Sequence, residues 1–276
     1  MKWSGEEIEL LVKHYSNGTE LLVQILKRNS KSITKKANSI GLFISNDTKI
    51  KNSTLNGKNK RGKKENYRVG DLTLNVDNYV SYVFGILWTD GFILKNRNTI
   101  GITIVKDDML DIEWIFKKTG NWYIQDRKRK GRRESRTLTS YSPLFMDKLI
   151  GYGYDKKSYI SPEKIFNIIP NSNIKYFFRG IIDGDGCFYV NKKNYTYQFS
   201  IASTYDQDWQ FYINFFNKMN IKASVVRRIQ KSGKSSIIRI CGRNQISRLI
   251  EWLYEGYEYD KIGFTRKYEK SLLFQK

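Results

Sequence analysis

Two aspartates, Asp90 and Asp185, each stand where an apolar stretch ends, in "FGILWTDG" and "RGIIDGDG". Such stretches predict buried helices, so each carboxylate would lie at a helix end. A lone Asp-Gly pair usually marks a turn, but its repetition at matched places in the chain indicates a site. Two adjacent carboxylates repel each other, and a divalent cation relieves that repulsion. Hard oxygen ligands suit Mg²⁺, for which other divalent cations can substitute, and this ion can activate water for phosphodiester hydrolysis.

Small residues in the two apolar stretches explain how the carboxylates could meet. Gly85 and Thr89 are four positions apart in the first stretch, as Gly180 and Gly184 are in the second. Residues at this spacing share one helix face, and small side chains allow two helix backbones to approach closely. The two helices are therefore predicted to pack together and to place their terminal aspartates side by side.

Composition limits the chemistry and the partners. The 276 residues contain 49 Lys and Arg against 27 Asp and Glu, a net charge of +22, which favours a polyanion and first of all nucleic acid. One histidine, His14, excludes a histidine-rich metal site and a Ser-His-Asp triad. No apolar run approaches the length of a membrane span, and "MKWSGEEIELL" is unlike a signal peptide, so a cytoplasmic protein is expected.

From residue 71 onward the chain reads as a duplicated unit. "GYGYDK" returns as "GYEYDK" after the second aspartate, and the strand-like and helix-like segments between these landmarks recur in the same order. Alternating apolar residues predict strands at "TIGITIV" and "YQFSIAS". Each copy is predicted as α-β-β-α-β-β-α, with boundaries at 71–170 and 171–276. The predicted fold class is α+β.

Residues 1–43 predict three short helices, the arrangement of a helix-turn-helix DNA-binding module. The early Trp3 and the segment "SITKKANSIGL" resemble Myb- or SANT-like modules. The alternative is a small bundle that only packs on the rest of the chain. Residues 44–70 are polar and basic and are predicted to be a linker, placed either along phosphates or in the minor groove. The residues of these two segments expected on DNA are Lys31, Lys35, Lys36, Arg61, Lys63 and Lys64.

The segments "VFGILWTDG" and "FRGIIDGDG" resemble the nine-residue motif of LAGLIDADG homing endonucleases, in the single-chain form with two motifs. The resemblance implies two pseudo-symmetric αββαββα halves with the motif helices at their interface and the strands forming a β-saddle on DNA. It implies that Asp90 and Asp185 are the catalytic, metal-binding acids. It also implies a basic residue after the last strand and helix of each half. The residues in those places are Lys156 or Lys157 in the first half and Lys261 in the second.

One position departs from the motif. Trp88 stands where the motif has its earlier aspartate, whereas Asp183 keeps that aspartate in the second copy. We expect this position to cap and pack more than to catalyse.

Basic and polar side chains on the predicted strands would read and hold DNA. A solvated sheet face normally mixes charges of both signs, whereas these strands are mostly positive, with Gln and Arg available for base edges. The residues expected to contact DNA are Tyr123, Gln125, Arg127 and Arg129 in the first copy, and Lys222, Arg227 and Arg239 in the second.

These features together predict a monomeric, Mg²⁺-dependent, site-specific endonuclease for double-stranded DNA, of the kind that mobile introns encode in phage or bacterial genomes. It would act in the host cytosol. One alternative is an RNA-splicing maturase on the same scaffold. The other is a non-catalytic DNA-binding regulator, for which the helix-turn-helix module and the linker would suffice. The retention of both aspartates favours the nuclease.

Overall fold

The computed structural model describes residues 3–42, 68–128, 130–191, 193–194, 196–230 and 233–275. The chain forms two compact units, Met1–Lys64 and Glu65–Lys276. Arg61, Lys63, Lys64 and Arg129, which were expected on DNA, lie outside the described residues.

The N-terminal unit contains the three predicted helices. They are α1 (Gly5–His14), α2 (Glu20–Leu26) and α3 (Ser30–Ser39). Ser4 and Glu7 begin α1 as a capping box, in which each side chain accepts a hydrogen bond from the other residue's backbone N–H. The helices enclose a small core of Leu11, Tyr15, Leu22, Ile33 and Ala37.

The larger unit repeats one order of elements, as the sequence predicts. The first repeat consists of α4 (Asn78–Asp90), β1 (Gly91–Leu94), β2 (Thr99–Val105), α5 (Lys106–Thr119), β3 (Tyr123–Arg127), β4 (Ser135–Tyr141) and α6 (Pro143–Gly151). A short helix, α7 (Glu163–Phe166), follows it. The second repeat consists of α8 (Ile174–Asp185), β5 (Gly186–Asn191), β6 (Thr196–Thr204), α9 (Gln210–Lys218), β7 (Ala223–Gln230), β8 (Gly233–Cys241) and α10 (Arg243–Leu253). The chain then adds α11 (Tyr257–Asp260) and α12 (Thr265–Ser271).

Each repeat forms a four-stranded antiparallel sheet. The strand orders are β1-β2-β4-β3 and β5-β6-β8-β7. Alternation along the strands sends Ile100, Ile102 and Leu138 of the first sheet into the core, and the second sheet does the same with Phe199 and Ile201. The other side of each sheet, which we call its open face, carries the intervening side chains. The α+β class and the two αββαββα repeats are thus confirmed.

Helices α4 and α8 pack against each other through glycine. A β-carbon on Gly85 would lie 2.0 Å from the carbonyl oxygen of Phe177, and one on Gly180 would lie 2.4 Å from that of Tyr82. The backbones are therefore in direct contact, which no larger residue would allow. Every residue from Val80 to Trp88 is buried, so α4 lies inside the protein on all sides.

Substituting Gly180 by alanine should be strongly destabilising. The new methyl group would overlap backbone atoms of α4, which cannot move as a side chain can, and overpacking of this kind costs about 1–3 kcal/mol or more. Gly151→Ala is the matched control, because a β-carbon there meets nothing within 4 Å and should be neutral or slightly stabilising. Urea unfolding of both variants measures the difference. Equal stability of Gly180→Ala and the wild type would contradict the close helix packing.

Candidate active site

The two aspartates stand at the adjoining ends of the paired helices. Asp90 is the last residue of α4 and Asp185 is the last residue of α8. A β-carbon on Gly184 would lie 2.6 Å from Oδ2 of Asp90 and 2.0 Å from Oγ1 of Thr89. The Asp90 carboxylate therefore rests on the backbone next to Asp185. Both side chains keep contact with solvent, so a ligand can reach them, although the surrounding protein atoms partly desolvate their carboxylates.

The surroundings of the two carboxylates raise the pKa of both. Burial by the surrounding protein atoms raises the pKa of Asp185 to about 6, the charge of Asp90 adds to the rise, and Lys157 and Lys267 oppose it. Burial also raises the pKa of Asp90, again against the charges of Lys157 and Lys267. The site therefore holds two acids and two lysines, and the lysines do not fully compensate the acids.

Lys157 is bound to the carboxyl end of α4. Its Nζ donates hydrogen bonds to the carbonyl oxygens of Gly91 at 2.7 Å, Thr89 at 2.8 Å and Leu87 at 3.0 Å. The Leu87 carbonyl also accepts from the backbone N–H of Gly91, which ends the helix, and a cation at this end interacts favourably with the helix dipole. Burial lowers the pKa of Lys157 to about 8, although Asp90 and Asp185 favour its charged form.

Lys267 occupies the corresponding place in the second repeat. Its Nζ donates to the carbonyl oxygen of Gly186, the residue that follows Asp185. Gly91 stands in the same relation to Asp90 and accepts from Lys157. Lys267 is buried, which lowers its pKa. The two lysines therefore bind equivalent carbonyls on the two sides of the acid pair.

Sequence reasoning missed Lys267 and chose Lys261 instead. In the structure Lys261 is exposed, has a positive φ of 50°, and pairs with Glu258 at 2.5 Å. Of the two candidates in the first repeat, Lys157 reaches the acids, whereas Lys156 is an exposed residue in the preceding turn. Lys261 was chosen because "GYEYDK" matches "GYGYDK", but the segments diverge immediately afterwards. No repeated motif surrounds Lys267, so the sequence held no signal for it.

Two buried side chains of α8 hold the segment that leads to Lys267. Oδ2 of Asp183 accepts hydrogen bonds from the hydroxyl of Tyr82 and from the backbone N–H of Phe264, each at 2.8 Å. Arg179, one helical turn earlier, is fully buried. Its guanidinium donates to the Leu253 carbonyl at 2.6 Å and to Asp260 at 2.8 Å.

The first repeat fills the corresponding place by packing. Trp88 stands there instead of an aspartate, and it is buried edge-on against Tyr154 with ring centroids 6.2 Å apart. Asp183 and Trp88 therefore both support the helix ends from inside the protein.

Most of the described strand residues expected on DNA lie on the open faces of the two sheets. Tyr123, Gln125 and Arg127 pair with Thr139, Thr137 and Ser135 and lie exposed on the open face of the first sheet. In the second sheet Arg239 pairs with Ser224 on the open face. Lys222 is exposed and immediately precedes β7.

Arg227 does not lie with Arg239. It pairs with the buried Ser236, on the opposite side of the sheet, and its Nε donates to the Tyr205 carbonyl at 3.2 Å. Arg228 pairs with Ser235 and takes the open-face position. Arg227 therefore lies off the open face on which it was expected, because side chains alternate along a strand and a shift of one residue changes the side.

In the N-terminal unit, Lys31 and Lys35 are exposed on α3 and Lys36 is half-buried. Among the described residues there is no cluster of three or more His, Cys, Asp or Glu side chains that could hold a metal ion. No helix in the described ranges is long and apolar enough to span a membrane.

No protein-family model and no curated protein matches the chain. Solved structures do match it. I-SmaMI bound to an uncleaved DNA target with calcium ions is 15% identical, with a TM-score of 0.45 over 73% of this chain and 90% of that chain. The I-LtrWI LAGLIDADG homing endonuclease bound to target DNA is 15% identical, with a TM-score of 0.45 over 73% and 91%. Full-length DUF199/WhiA from Thermatoga maritima is 14% identical, with a TM-score of 0.44 over 74% and 63%.

Replacing Asp185 by asparagine should stabilise the protein at neutral pH. The pKa of Asp185 is raised from 3.8 to about 6, so ionisation of this group opposes folding above pH 6 and has no effect well below pH 4. The thermal midpoint of Asp185→Asn should exceed that of the wild type by a few degrees at pH 7.5. The difference should shrink as the pH falls through 6 towards 4.

Scanning calorimetry of both proteins across this pH range is the measurement. Mg²⁺ should raise the midpoint of the wild type and have less effect on Asp185→Asn, because a ligand stabilises only the state that binds it. A lower midpoint for Asp185→Asn at pH 7.5, or a difference that does not change with pH, would contradict the electrostatic description.

Proposed function

We propose that the protein is a Mg²⁺-dependent endonuclease that hydrolyses one phosphodiester in each strand of a double-stranded DNA target. The observation that carries the proposal is the acid pair, Asp90 beside Asp185, with one lysine on each side. Each aspartate is followed at once by the first strand of a sheet, so the acids lie where the two sheets begin. Both carboxylates belong to one chain, and a monomer therefore suffices for catalysis.

The residues at the site fit a divalent cation. Asp90 and Asp185 provide hard carboxylate oxygens, and burial raises the pKa of both, with the charge of Asp90 adding to the rise at Asp185. Mg²⁺ is commonly held by one or two carboxylates, with waters and phosphate oxygens completing its shell. When bound, the ion would stabilise negative charge on the phosphate and favour ionisation of a water. In this arrangement Asp90 and Asp185 would hold the ion at the helix ends.

The lysines would act beside the acids. Lys157 and Lys267 place positive charge next to both carboxylates. Negative charge on a pentacoordinate phosphorus centre would develop at this place in the transition state. The lowered pKa of Lys157, about 8, lies near neutral pH, where a group exchanges protons most usefully. Its three hydrogen bonds to carbonyl oxygens fix Nζ in position. Lys157 would therefore act mainly as a fixed charge, with proton transfer requiring one of these bonds to break.

The open faces and the charge of the chain support DNA as the substrate. Tyr123, Gln125 and Arg127 lie on one open face and Arg228 and Arg239 on the other. Arginine and glutamine recognise base edges through paired hydrogen bonds, while the net charge of +22 favours phosphate contacts of every sequence. The N-terminal helices would add contacts through Lys31, Lys35 and Lys36, in the manner of a helix-turn-helix module. Target specificity would then come mainly from the two sheets.

Changing either aspartate to asparagine should abolish cleavage and leave DNA binding near the wild-type level, because each change removes a metal ligand and keeps the shape. Lys157→Met and Lys267→Met should each slow the chemical step about 10²-fold, the contribution expected of one positioned acid-base or electrostatic group. Lys261→Met is the control and should cut at the wild-type rate. Single-turnover cleavage of targets selected from a randomised DNA library is the measurement.

The same measurement separates the proposal from its alternatives. Complete double-strand cleavage by Asp90→Asn or Asp185→Asn would refute the assigned acids. Sequence-specific binding without cleavage by the wild type would identify a DNA-binding regulator, and preferential binding of structured RNA would favour the maturase.

The contribution of the N-terminal unit can be tested in the full-length protein. Replacing Lys31, Lys35 and Lys36 together by alanine should weaken DNA binding and reduce its salt dependence, since each lost phosphate contact lowers the slope of log K against log salt by about 0.9. The cut positions should not change. Fluorescence anisotropy at several salt concentrations measures the slope, with Lys13→Ala on α1 as the control. An unchanged slope would show that α3 does not contact phosphates.

A further inference from the structure

We propose that each of the two site lysines is positioned by the opposite repeat. Asp108 and Asp111 of the first repeat hold the segment that carries Lys267, and Thr204, Gln207 and Asp208 of the second repeat hold the segment that carries Lys157. The effect on DNA cleavage rests on the function proposed above, whereas the effect on the lysines themselves does not.

The contacts to the Lys267 segment come from one face of α5. Oδ2 of Asp111 accepts the backbone N–H of Thr265, the first residue of α12, at 2.9 Å. Asp108 accepts two hydrogen bonds from the guanidinium of Arg266, at 2.5 and 2.7 Å. Asp108 and Asp111 are three residues apart and therefore share a helix face. Two consecutive residues of α12 are thus bound to the first repeat, and the next residue is Lys267.

Helix α12 depends on these contacts because it has no side-chain cap of its own. Phe264 occupies the N-cap position and offers no acceptor, so the first N–H groups of the helix need acceptors from elsewhere. Asp183 accepts from Phe264 and Asp111 accepts from Thr265. One acceptor belongs to the second repeat and the other to the first. Removal of Asp111 would leave the Thr265 N–H without this acceptor and loosen the start of the helix.

The contacts to the Lys157 segment come from the connection between β6 and α9. The three residues after Lys157 offer their carbonyl oxygens. Thr204 Oγ1 donates to Ser158, the backbone N–H of Asp208 donates to Tyr159 at 2.9 Å, and Nε2 of Gln207 donates to Ile160 at 2.8 Å. The second repeat therefore binds this segment at three consecutive residues.

Hydrogen bonds fix the side chain of Gln207 in this position. Its side chain is buried, its Oε1 accepts from Ser203 at 2.8 Å, and its Nε2 also donates to the Asp208 carbonyl at 3.1 Å. The amide uses both its donor and its acceptor groups. A side chain of similar size without these groups would leave the Ile160 carbonyl without its partner, which is costly for a buried polar group.

The two sets of contacts occupy equivalent places but use opposite chemistry. Each comes from the junction between the second strand of a repeat and the helix that follows it, β2 to α5 and β6 to α9. The first repeat supplies acceptors to N–H groups, whereas the second repeat supplies donors to carbonyl oxygens. The two contacts can therefore be broken separately, each by a substitution that lies in the repeat opposite to the affected lysine.

The test measures the accessibility of each lysine in the full-length protein without DNA or metal. Trace acetylation with acetic anhydride followed by mass spectrometry gives the labelling rates of Lys157 and Lys267. Asp111→Ala should label Lys267 about fivefold faster, as expected when local opening is favoured by the loss of one hydrogen bond, and should leave Lys157 unchanged. Gln207→Met should label Lys157 about fivefold faster and should leave Lys267 unchanged. Asp111→Asn is the matched control, because its amide oxygen can still accept from Thr265.

If Asp111→Ala does not fold, Asp108→Ala removes the other link between α5 and α12, the two hydrogen bonds from Arg266, and should expose Lys267 in the same way. The proposal would be overturned if a variant increased the labelling rate of the lysine in its own repeat. It would also be overturned if the labelling rates of both lysines changed equally, or if neither changed. An effect of Asp111→Asn as large as that of Asp111→Ala would also overturn it, since the acceptor would then be irrelevant.

Strand-resolved cleavage connects the positioning to activity. On a target labelled differently in its two strands, Asp111→Ala should slow the cutting of one strand and Gln207→Met the cutting of the other. Equal slowing of both strands by each variant would indicate a general loss of structure and contradict specific positioning. If the wild type cuts no DNA, the proposed function fails, while the labelling rates still decide the positioning of the lysines.

Discussion

The contact between α4 and α8 determines the arrangement of the site. Gly85 and Gly180 bring the two backbones together, since a β-carbon on either would lie within 2.4 Å of a carbonyl oxygen of the other helix. The carboxyl ends of the two helices then lie side by side, so the Asp90 carboxylate contacts the backbone of Gly184, next to Asp185. The first strand of each sheet begins at the next residue. One close contact between helices thus fixes both the acid pair and the starting points of the two open faces.

This geometry is electrostatically unfavourable in the protein alone. Burial raises the pKa of Asp185 to about 6, with the neighbouring charge of Asp90 adding to the rise, and burial lowers the pKa of Lys157 to about 8. The hydrogen bonds from the lysines to the carbonyls at the helix ends hold the cations in place. Such fixed and incompletely neutralised acids are well suited to a divalent cation, which would compensate the charge that the lysines leave.

The sequence was informative wherever the determining pattern is local. Apolar runs and alternating residues predicted both αββαββα repeats, and the glycines predicted the helix contact and the position of Asp90 and Asp185. Lys267 could not be predicted, because it reaches the site through contacts far apart in the chain, such as Asp183 with Phe264 and Asp111 with Thr265. The side chosen for Arg227 was wrong because that side depends on the pairing of β7 with β8, which composition does not reveal.

The central claim is that the two helix ends hold one divalent cation between Asp90 and Asp185. Iron(II) in place of Mg²⁺, with ascorbate and peroxide, generates radicals that cut the polypeptide close to the bound ion, and mass spectrometry locates the cuts. We predict cuts at both helix ends, around residues 89–91 and 184–186, that Mg²⁺ suppresses and that Asp185→Asn largely removes. Cuts at one helix end only, or at neither, would contradict a shared cation.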